Sequence, residues 1–174
     1  MVSPNEVAAM AAKKEKENYA FRTYLKSHAD PNKLDRQFLK LHRELFAKYD
    51  CNACRNCCKQ YCGNLSEEDL PGCAELFGMT PEEFKAKYLL ECEDGTYNAI
   101  HKPCDFLQED GSCMLGDQKP DSCADFPYTA RPDRIGSLYS IIEFAAVCPV
   151  LYEMLERLKK EYGFTYYRSN SRRR

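Results

Sequence analysis

The sequence has no tryptophan and only eight glycines among its 174 residues, and it contains no long apolar segment. Nothing approaches the roughly 18 consecutive apolar residues that a membrane-spanning helix needs. The first residues, MVSPNEVAAMAAKKEKE, become charged after a few alanines, which argues against a secretory signal. These absences predict a cytoplasmic protein without a membrane segment.

Motifs of the common enzyme classes are also missing. The sequence shows no Ser-His-Asp order, no phosphate-binding loop, no recognisable pair of catalytic carboxylates and no glycine-rich strand–turn–helix for a nucleotide cofactor. No catalytic residue is therefore predicted, and a binding protein is favoured over an enzyme.

Cysteine, in contrast, is abundant, with eleven residues in the chain. In the reducing cytosol, clustered cysteines indicate metal or redox chemistry more often than disulfides. Four of them lie within CNACRNCC, at Cys51, Cys54, Cys57 and Cys58. Thiolates are soft metal ligands, and two cysteines separated by two residues can turn onto one ion. Adjacent side chains tend to point apart, so Cys57 and Cys58 are not expected to share a simple tetrahedral site.

A further set of cysteines lies at turns or element ends, next to proline, glycine or serine, where the backbone can direct a thiolate inward. Together the two sets supply eight sulfurs, enough for two four-thiolate sites or one site with spare thiols. The predicted metal ligands are Cys51, Cys54, Cys57, Cys58, Cys104, Cys113, Cys123 and Cys148.

The remaining cysteines and one histidine have different settings. Cys73 and Cys92 lie on or beside predicted helices and are interpreted as small core residues. Cys62 is close enough to the first cluster to contribute, and the sequence leaves its role open. His101 precedes Cys104 by three residues, but an ordinary surface or hydrogen-bonded role is favoured over metal ligation.

Helix signals dominate the two ends of the chain. Ser3-Pro4 with Glu6 predicts a capped helix start, and Asp30-Pro31 predicts a second helix over residues 31–49. That second helix has an apolar stripe at Leu34, Phe38, Leu41, Leu45 and Tyr49. Cys148-Pro149 predicts the start of a final amphipathic helix.

The centre of the chain is rich in turns. Thr80-Pro81 predicts a helix with Phe84, Tyr88 and Leu89 on its buried side, and Tyr97–His101 a short strand. Gln108–Gly111 is expected to close a small hairpin. The apolar and partly β-branched segment Leu138–Val147 favours a strand over a helix.

These elements predict a mainly helical α+β fold, a small metal-stapled cysteine-rich domain with flanking amphipathic helices. We expect a helical extension at residues 1–50 and the metal-binding domain at 51–149. Residues 150–174 are expected to form a helix and basic tail packed on the same domain. The tail RSNSRRR carries no aromatic-interleaved basic patch, so a solvated end is favoured over a nucleic-acid site.

The order of the cysteine motifs is more specific than any one of them. CNACRNCC is followed by PCDFL, GSC, KPDSCADFP and CP. This series resembles the YkgJ-type cysteine cluster family, or CxxCxxCC family, of zinc- or iron-chelating domains, over about residues 51–149. Lys119 stands where arginine is usual in the family, and Cys62, Cys73 and Cys92 are peculiar to this chain.

The resemblance implies metal chelation with an undefined biochemical role and an unidentified protein partner. A flagellin lysine N-methylase also resembles this domain, so a related enzyme is an alternative. The methyl-donor site of that enzyme has no counterpart here, because the glycine-rich strand–turn–helix is missing.

The identity of the metal stays open at this stage. Zinc takes four thiolates tetrahedrally, and iron–sulfur clusters use the same ligands, beginning with C-x2-C-x2-C in bacterial ferredoxins. The ferredoxin pattern is broken here, because Cys58 follows Cys57 at once and Cys62 precedes glycine instead of proline. The spacing therefore leaves zinc and an iron–sulfur cluster, the latter in a redox protein, as alternatives, with copper(I) or no metal as minor ones.

Overall fold

The computed structural model describes residues 1–167, which form two compact units. The helical unit comprises residues 1–48 and the described chain from Thr129 onward, and the cysteine unit comprises Tyr49–Tyr128. The predicted mainly helical α+β class is confirmed, since 55% of the residues are helical and the described chain has one sheet of two short strands. Residues 129–149, grouped by sequence with the cysteine domain, belong to the helical unit. The predicted solvated tail, residues 168–174, lies outside the described residues.

The elements follow in chain order. The α-helices are α1 (Val7–His28), α2 (Pro31–Phe46), α3 (Cys51–Cys54), α4 (Asn56–Gln60), α5 (Leu70–Leu76), α6 (Pro81–Tyr88), α7 (Asp121–Ala124), α8 (Leu138–Phe144) and α9 (Pro149–Glu161). The strands are β1 (Leu89–Glu91) and β2 (Tyr97–Ala99). None of the helices in the described chain is long and apolar enough to cross a membrane.

Local capping explains where the first two helices begin. The Asp30 Oδ1 accepts a hydrogen bond from the Lys33 backbone N–H at 2.7 Å, and α2 starts at the following proline as predicted. The first helix starts later than predicted, at Val7. The Ser3 hydroxyl donates to the Glu6 carboxylate at 2.5 Å instead of accepting from a backbone N–H, so the predicted capping box does not form.

The helical unit buries one apolar stripe from each long helix. Helix α2 packs against α9, and α1 packs against α8 and α9. The stripe predicted for α2 is buried at Leu34, Phe38, Leu41 and Leu45. Burial of one such side chain stabilises a fold by about 1.5–3 kcal/mol, so this unit draws its stability from ordinary helix packing.

The prediction of a strand at Leu138–Val147 is wrong, because residues Leu138–Phe144 form helix α8. Its buried residues are Leu138, Ile141, Ile142 and Ala145, which recur at the i, i+3, i+4, i+7 spacing of a helical face. Packing against α1 outweighs the β preference of two adjacent isoleucines. The helical spacing was present in the sequence and was the better signal.

The cysteine unit is built from short elements and turns. Strands β1 and β2 pair antiparallel, with Leu89 opposite Ala99 and Glu91 opposite Tyr97. Strand β2 lies where a strand was predicted, but Leu89 belongs to β1 and not to the preceding helix. The predicted Gln108–Gly111 turn closes with a backbone hydrogen bond of 3.0 Å, and its arms form a single bridge instead of two strands.

An aromatic cluster forms the apolar core of the cysteine unit. Phe77, Phe84, Tyr88 and Phe106 have ring centroids 5.3–6.0 Å apart in every pair. Such pairs contribute about 0.5–1.5 kcal/mol beyond simple burial. Phe106 follows Cys104 by two residues, so this core also positions the chain that carries the site.

Candidate metal centre

The first cysteine loop is two short helices joined by one residue. The Asp50 Oδ1 caps α3 by accepting from the backbone N–H groups of Asn52 at 2.8 Å and Ala53 at 3.1 Å. Arg55, with φ 47°, ends α3 and begins α4 in the left-handed region. This reversal lets both C-x2-C pairs of CNACRNCC belong to one compact loop.

The adjacent thiols of this loop point toward each other. The Sγ atoms of Cys57 and Cys58 are 4.0 Å apart. Two thiolates on one tetrahedral zinc, each about 2.3 Å from the ion, lie about 3.8 Å apart. The two sulfurs are therefore at about the separation of two ligands of one ion, although adjacent side chains generally point apart. That Cys57 and Cys58 do not share a simple tetrahedral site stays a prediction.

The chain then turns back at Cys62, which is buried with 4% of its surface exposed. Its φ of 56° is unusual for a residue other than glycine, asparagine or aspartate. The Cys62 N–H donates to the Cys57 carbonyl at 3.0 Å, and its thiol lies 3.5 Å from the Cys58 carbonyl oxygen. The Cys104 N–H donates to the same Cys58 carbonyl at 2.8 Å, so the P-C-x-F-L segment is joined to the first loop by its backbone.

Two glycines permit the later cysteine segments to approach. A Cβ on Gly63 would collide with the Cys123 sulfur, and the Gly63 backbone N–H makes a hydrogen bond to Cys123. A Cβ on Gly111, which has φ 84°, would collide with the Asn52 carbonyl oxygen of α3. The G-x-C element therefore lies against helix α3 of the first cysteine loop. The K-P-x-x-C block lies against Gly63, which follows that loop in the chain.

A cavity of about 210 Å³ lies among these segments in the cysteine unit. Its wall combines apolar side chains such as Phe106 and Leu115 with the cations Arg55 and Lys119. Seven cysteines line it, namely Cys51, Cys57, Cys58, Cys62, Cys104, Cys113 and Cys123. Six of these were predicted as ligands, and Cys62 is the one whose role the sequence left open.

Two predicted ligands have other positions. Cys54 is half-buried at the end of α3 and is not among the residues that line the cavity. Cys148 belongs to the helical unit, where it is buried at the start of α9 with its N–H donating to the Phe144 carbonyl at 2.8 Å. A ligand role for either residue stays a prediction.

Hydrogen bonding and positive charge favour a thiolate at Cys58. A hydrogen bond from Cys57, aided by the charges of Arg55 and Lys119, lowers the pKa of Cys58 to about 6 against the opposing effect of burial. Lys119 stands where the family resemblance expects arginine, and it keeps a positive charge at the cavity wall. The cavity thus already compensates negative charge on sulfur.

The other cavity thiols divide into proton donors and acceptors. A hydrogen bond from Cys104 lowers the pKa of Cys62, with a further contribution from the charge of Lys102. The same hydrogen bond, together with burial, raises the pKa of Cys104 well above its usual range. Burial raises the pKa of Cys123. Metal binding at this wall would displace protons from Cys104 and Cys123.

The remaining candidates have structural surroundings. Cys73 is fully buried on α5, its thiol donates to the Gln118 carbonyl at 3.4 Å, and burial raises the pKa of Cys73 to about 11. Cys92 is only half-buried and accepts a hydrogen bond from the Asn98 side chain at 3.1 Å. The prediction that Cys92 is a core residue is therefore wrong. His101 is largely exposed, with Nδ1 2.6 Å from the Asp105 carboxylate. None of the side chains of Cys73, Cys92 and His101 lines the cavity.

The donor set fits a thiophilic metal. No disulfide joins any of the cysteines, all of which lie in the described chain. Across residues 1–167, no three histidine, cysteine, aspartate or glutamate side chains are arranged, as they stand, to hold a metal ion. The thiols therefore share a cavity without converging on one point, and binding requires side-chain rotation. Softness, charge and number of the donors suit zinc or iron.

A mainly helical chain with a thiol-lined, positively charged cavity has the features of a cysteine-rich metal-binding domain. Residues 50–149 match the model of the CxxCxxCC family, which is described as a putative zinc- or iron-chelating domain. Because the match covers more than half of the chain, the protein belongs to this family, and the resemblance noted from the sequence is confirmed. No curated protein and no solved structure matches the chain.

Proposed function

We propose that the protein chelates zinc or iron in the cysteine unit and that this metal staples the turn-rich chain between residues 51 and 128. The observation that carries the proposal is the set of seven cysteines on the wall of one cavity. Family membership supports metal binding at the general level. We place the protein in the reducing cytosol, where such thiols stay available to a metal.

Two features of the cavity, and a comparison with a buried thiol outside it, support a metal over a purely structural use of the cavity thiols. The Cys57 and Cys58 sulfurs are already at a separation that suits one ion. Arg55 and Lys119 offset the negative charge that thiolates bring to the metal. The buried Cys73, by comparison, has a raised pKa and a backbone partner, which is what an inert thiol shows.

The proposed ligands of this centre are the cavity cysteines predicted from the sequence, with Cys54 of the same unit kept in the set on the strength of its motif. A ligand role for Cys148, in the helical unit, stays a prediction of the sequence. One four-thiolate zinc site needs fewer sulfurs than the cavity offers. The cavity volume of about 210 Å³ is also many times the space of one water molecule, about 10–15 Å³ by a comparable measure. Zinc and iron–sulfur clusters are both held by four thiolates, so the number of sulfurs does not separate them. The volume of the cavity is what makes an iron–sulfur centre, with an electron-transfer role, the second candidate function.

The deciding experiment is elemental analysis with an absorption spectrum on protein purified without oxygen. Zinc without a visible band supports a redox-silent staple. Iron with sulfide and a broad visible band supports the cluster and a search for its electron donor. Protein without stoichiometric metal, under conditions that keep its thiols reduced, contradicts the proposal.

Matched cysteine variants then test the ligand assignment. Cys58→Ser removes a predicted ligand with a lowered pKa, whereas Cys73→Ser removes a buried thiol outside the cavity. We expect Cys58→Ser to lower the metal content and Cys73→Ser to leave it unchanged. Cys54→Ser and Cys148→Ser decide whether these two residues belong to the set. Equal metal content in all four variants and the parent would remove the basis of the assignment.

A further inference from the structure

The residue Cys62 lies outside the family motifs but inside the cavity, and its surroundings are those of a ligand. It follows CNACRNCC by four residues and precedes Gly63, and no element of the CxxCxxCC motif series requires a cysteine there. Its side chain is 4% exposed and lies on the cavity wall. We infer that Cys62 is an additional metal-binding thiolate, outside the motif series, which acts together with Cys58 and Cys104. This inference rests on the proposed metal-binding function.

The backbone at Cys62 adopts a conformation that costs energy and is kept nonetheless. A φ of 56° disfavours a side chain with a Cβ, and asparagine or glycine would fit it better. Residues held in such sparsely populated regions cluster at functional sites. Here the left-handed turn ends the segment after α4 and directs the Cys62 thiol toward the carbonyl oxygens of Cys58, at 3.5 Å, and His101, at 4.0 Å.

The neighbours of Cys62 are predicted ligands on two different segments. Its sulfur shares a hydrogen bond with the thiol of Cys104, which lies on the P-C-x-F-L segment. The next residue, Gly63, lies against the sulfur of Cys123. Cys62 thus connects the first cysteine loop with two of the three later segments of the cavity wall, those of Cys104 and Cys123. From this position its thiolate can complete a centre that uses ligands from several segments.

A second cysteine of the same unit provides a matched control. Cys73 is also buried, and its thiol also donates to a backbone carbonyl, at 3.4 Å, as the Cys62 thiol does at 3.5 Å. The two differ in their position, because Cys62 lines the cavity and Cys73 does not. Any difference between their variants in metal binding therefore reports on the cavity and not on the loss of a buried thiol.

The test is an oxygen-free titration of metal-free protein with cobalt(II), followed by its thiolate-to-cobalt absorption. The variants are Cys62→Ser, Cys62→Gly and Cys73→Ser; glycine tolerates the left-handed backbone and so protects the fold. We expect both Cys62 variants to weaken the absorption and to lower cobalt affinity by at least the about 10–100-fold seen when supporting residues of metal sites are lost. Cys73→Ser should match the parent.

The outcomes separate this inference from the proposed function. If the parent takes up cobalt and Cys62→Gly binds it with the same affinity and absorption, Cys62 is not a ligand, and the metal-binding function stands. If the parent itself takes up no cobalt, zinc or iron, the proposed function fails, and the inference fails with it. A loss in Cys62→Ser that Cys62→Gly does not share assigns the effect to packing and also overturns the inference.

Discussion

The two units of the chain reach a folded state by different means. In the helical unit, α1, α2 and α9 each exceed ten residues, and their apolar faces bury Phe21, Phe38 and Leu158. Even its buried Lys159 is paired, with carboxylate oxygens of Glu17 at 2.9 Å and Glu156 at 2.5 Å. In the cysteine unit, the helices are of eight residues or fewer, and much of the chain is turn.

This difference indicates that apolar packing stabilises the helical unit, whereas the cysteine unit depends on its thiols. Isolated helices as short as α3 and α4 are not stable in water, since nucleation is costly and few hydrogen bonds follow it. The aromatic cluster around Phe84 and Phe106 supports one side of the cysteine unit, but the cavity side is lined by thiols. The helical unit should therefore be indifferent to metal, and the cysteine unit should depend on it. The following predictions test this contrast, beginning with the largest expected effect.

Metal removal should affect the two units very differently. Structural zinc in small domains contributes apparent binding free energies of about 10–16 kcal/mol at neutral pH, and that energy is folding energy. After chelation without oxygen, we expect amide hydrogen exchange to accelerate by orders of magnitude in residues 49–128. Exchange in α2 and α9 should be nearly unchanged. Equal acceleration in both units would contradict the contrast.

A core truncation in the helical unit should have the opposite selectivity. Phe38 is fully buried on α2, and a Phe→Ala change at such a site costs about 3–5 kcal/mol. We expect Phe38→Ala to lower the urea midpoint of the helical unit while the metal content stays at the parental value. Lys40→Ala, on the exposed side of the same helix, should change the stability by less than about 1 kcal/mol. Loss of metal from Phe38→Ala would show that the units are not independent.

A glycine substitution can disturb the cavity without removing a thiol. A Cβ at Gly63 would collide with the Cys123 sulfur and the Ser122 hydroxyl and would lie close to the Cys123 backbone nitrogen. Gly63→Ala should therefore cost about 1–3 kcal/mol and lower metal uptake. Gly78→Ala is the control, because Gly78 has φ 63° and open space around its Cα. It should cost about 1–2 kcal/mol through backbone strain and leave metal uptake intact. Metal content from elemental analysis and urea unfolding distinguish the two effects.

The pH dependence of metal affinity tests whether the cavity thiols lose protons when the metal binds. The raised pKa values of Cys104 and Cys123 keep these thiols protonated near neutral pH, so a metal must displace their protons. Affinity should therefore rise with pH, by up to about tenfold per pH unit for each proton released. Cys58, with a pKa of about 6, should contribute little to this slope above neutral pH. A competition titration of zinc between about pH 6 and 9 measures the slope, and a flat profile would contradict the proton displacement.

Periodicity and capping were sufficient for most of the helical unit. Asp30-Pro31 and the stripe from Leu34 to Leu45 predicted α2, and the Cys148-Pro149 signal predicted α9. The error at Leu138–Val147 arose from giving β-branched propensity more weight than helical spacing. Strand β1 was missed because Leu89 continues the apolar pattern of α6. Its partner β2 follows a turn further along the chain.

The composition of the cavity could be predicted, but not its detailed arrangement. Motif order identified six of the seven lining cysteines. Cys62 could not be assigned, because its position depends on a left-handed backbone turn that no residue type in CGN required. The approach of the Cys57 and Cys58 sulfurs to 4.0 Å was not predicted, because adjacent side chains generally point apart in a strand and on a helix alike. The spacing of the cysteines predicts the ligand chemistry but not the local backbone conformation.

The bridge between Leu65 and Tyr97 has a consequence for how the family can evolve. These residues exchange two backbone hydrogen bonds of 2.8 Å, so residues 66–96 leave and rejoin the cysteine unit at neighbouring points. No residue between them lines the cavity. Doubling the length of a flexible loop costs only about 0.6 kcal/mol. Insertions at the Glu93–Thr96 turn should therefore be tolerated without loss of metal binding in the cavity. The number of residues between CNACRNCC and PCDFL can thus change while the positions of the cavity thiols stay the same.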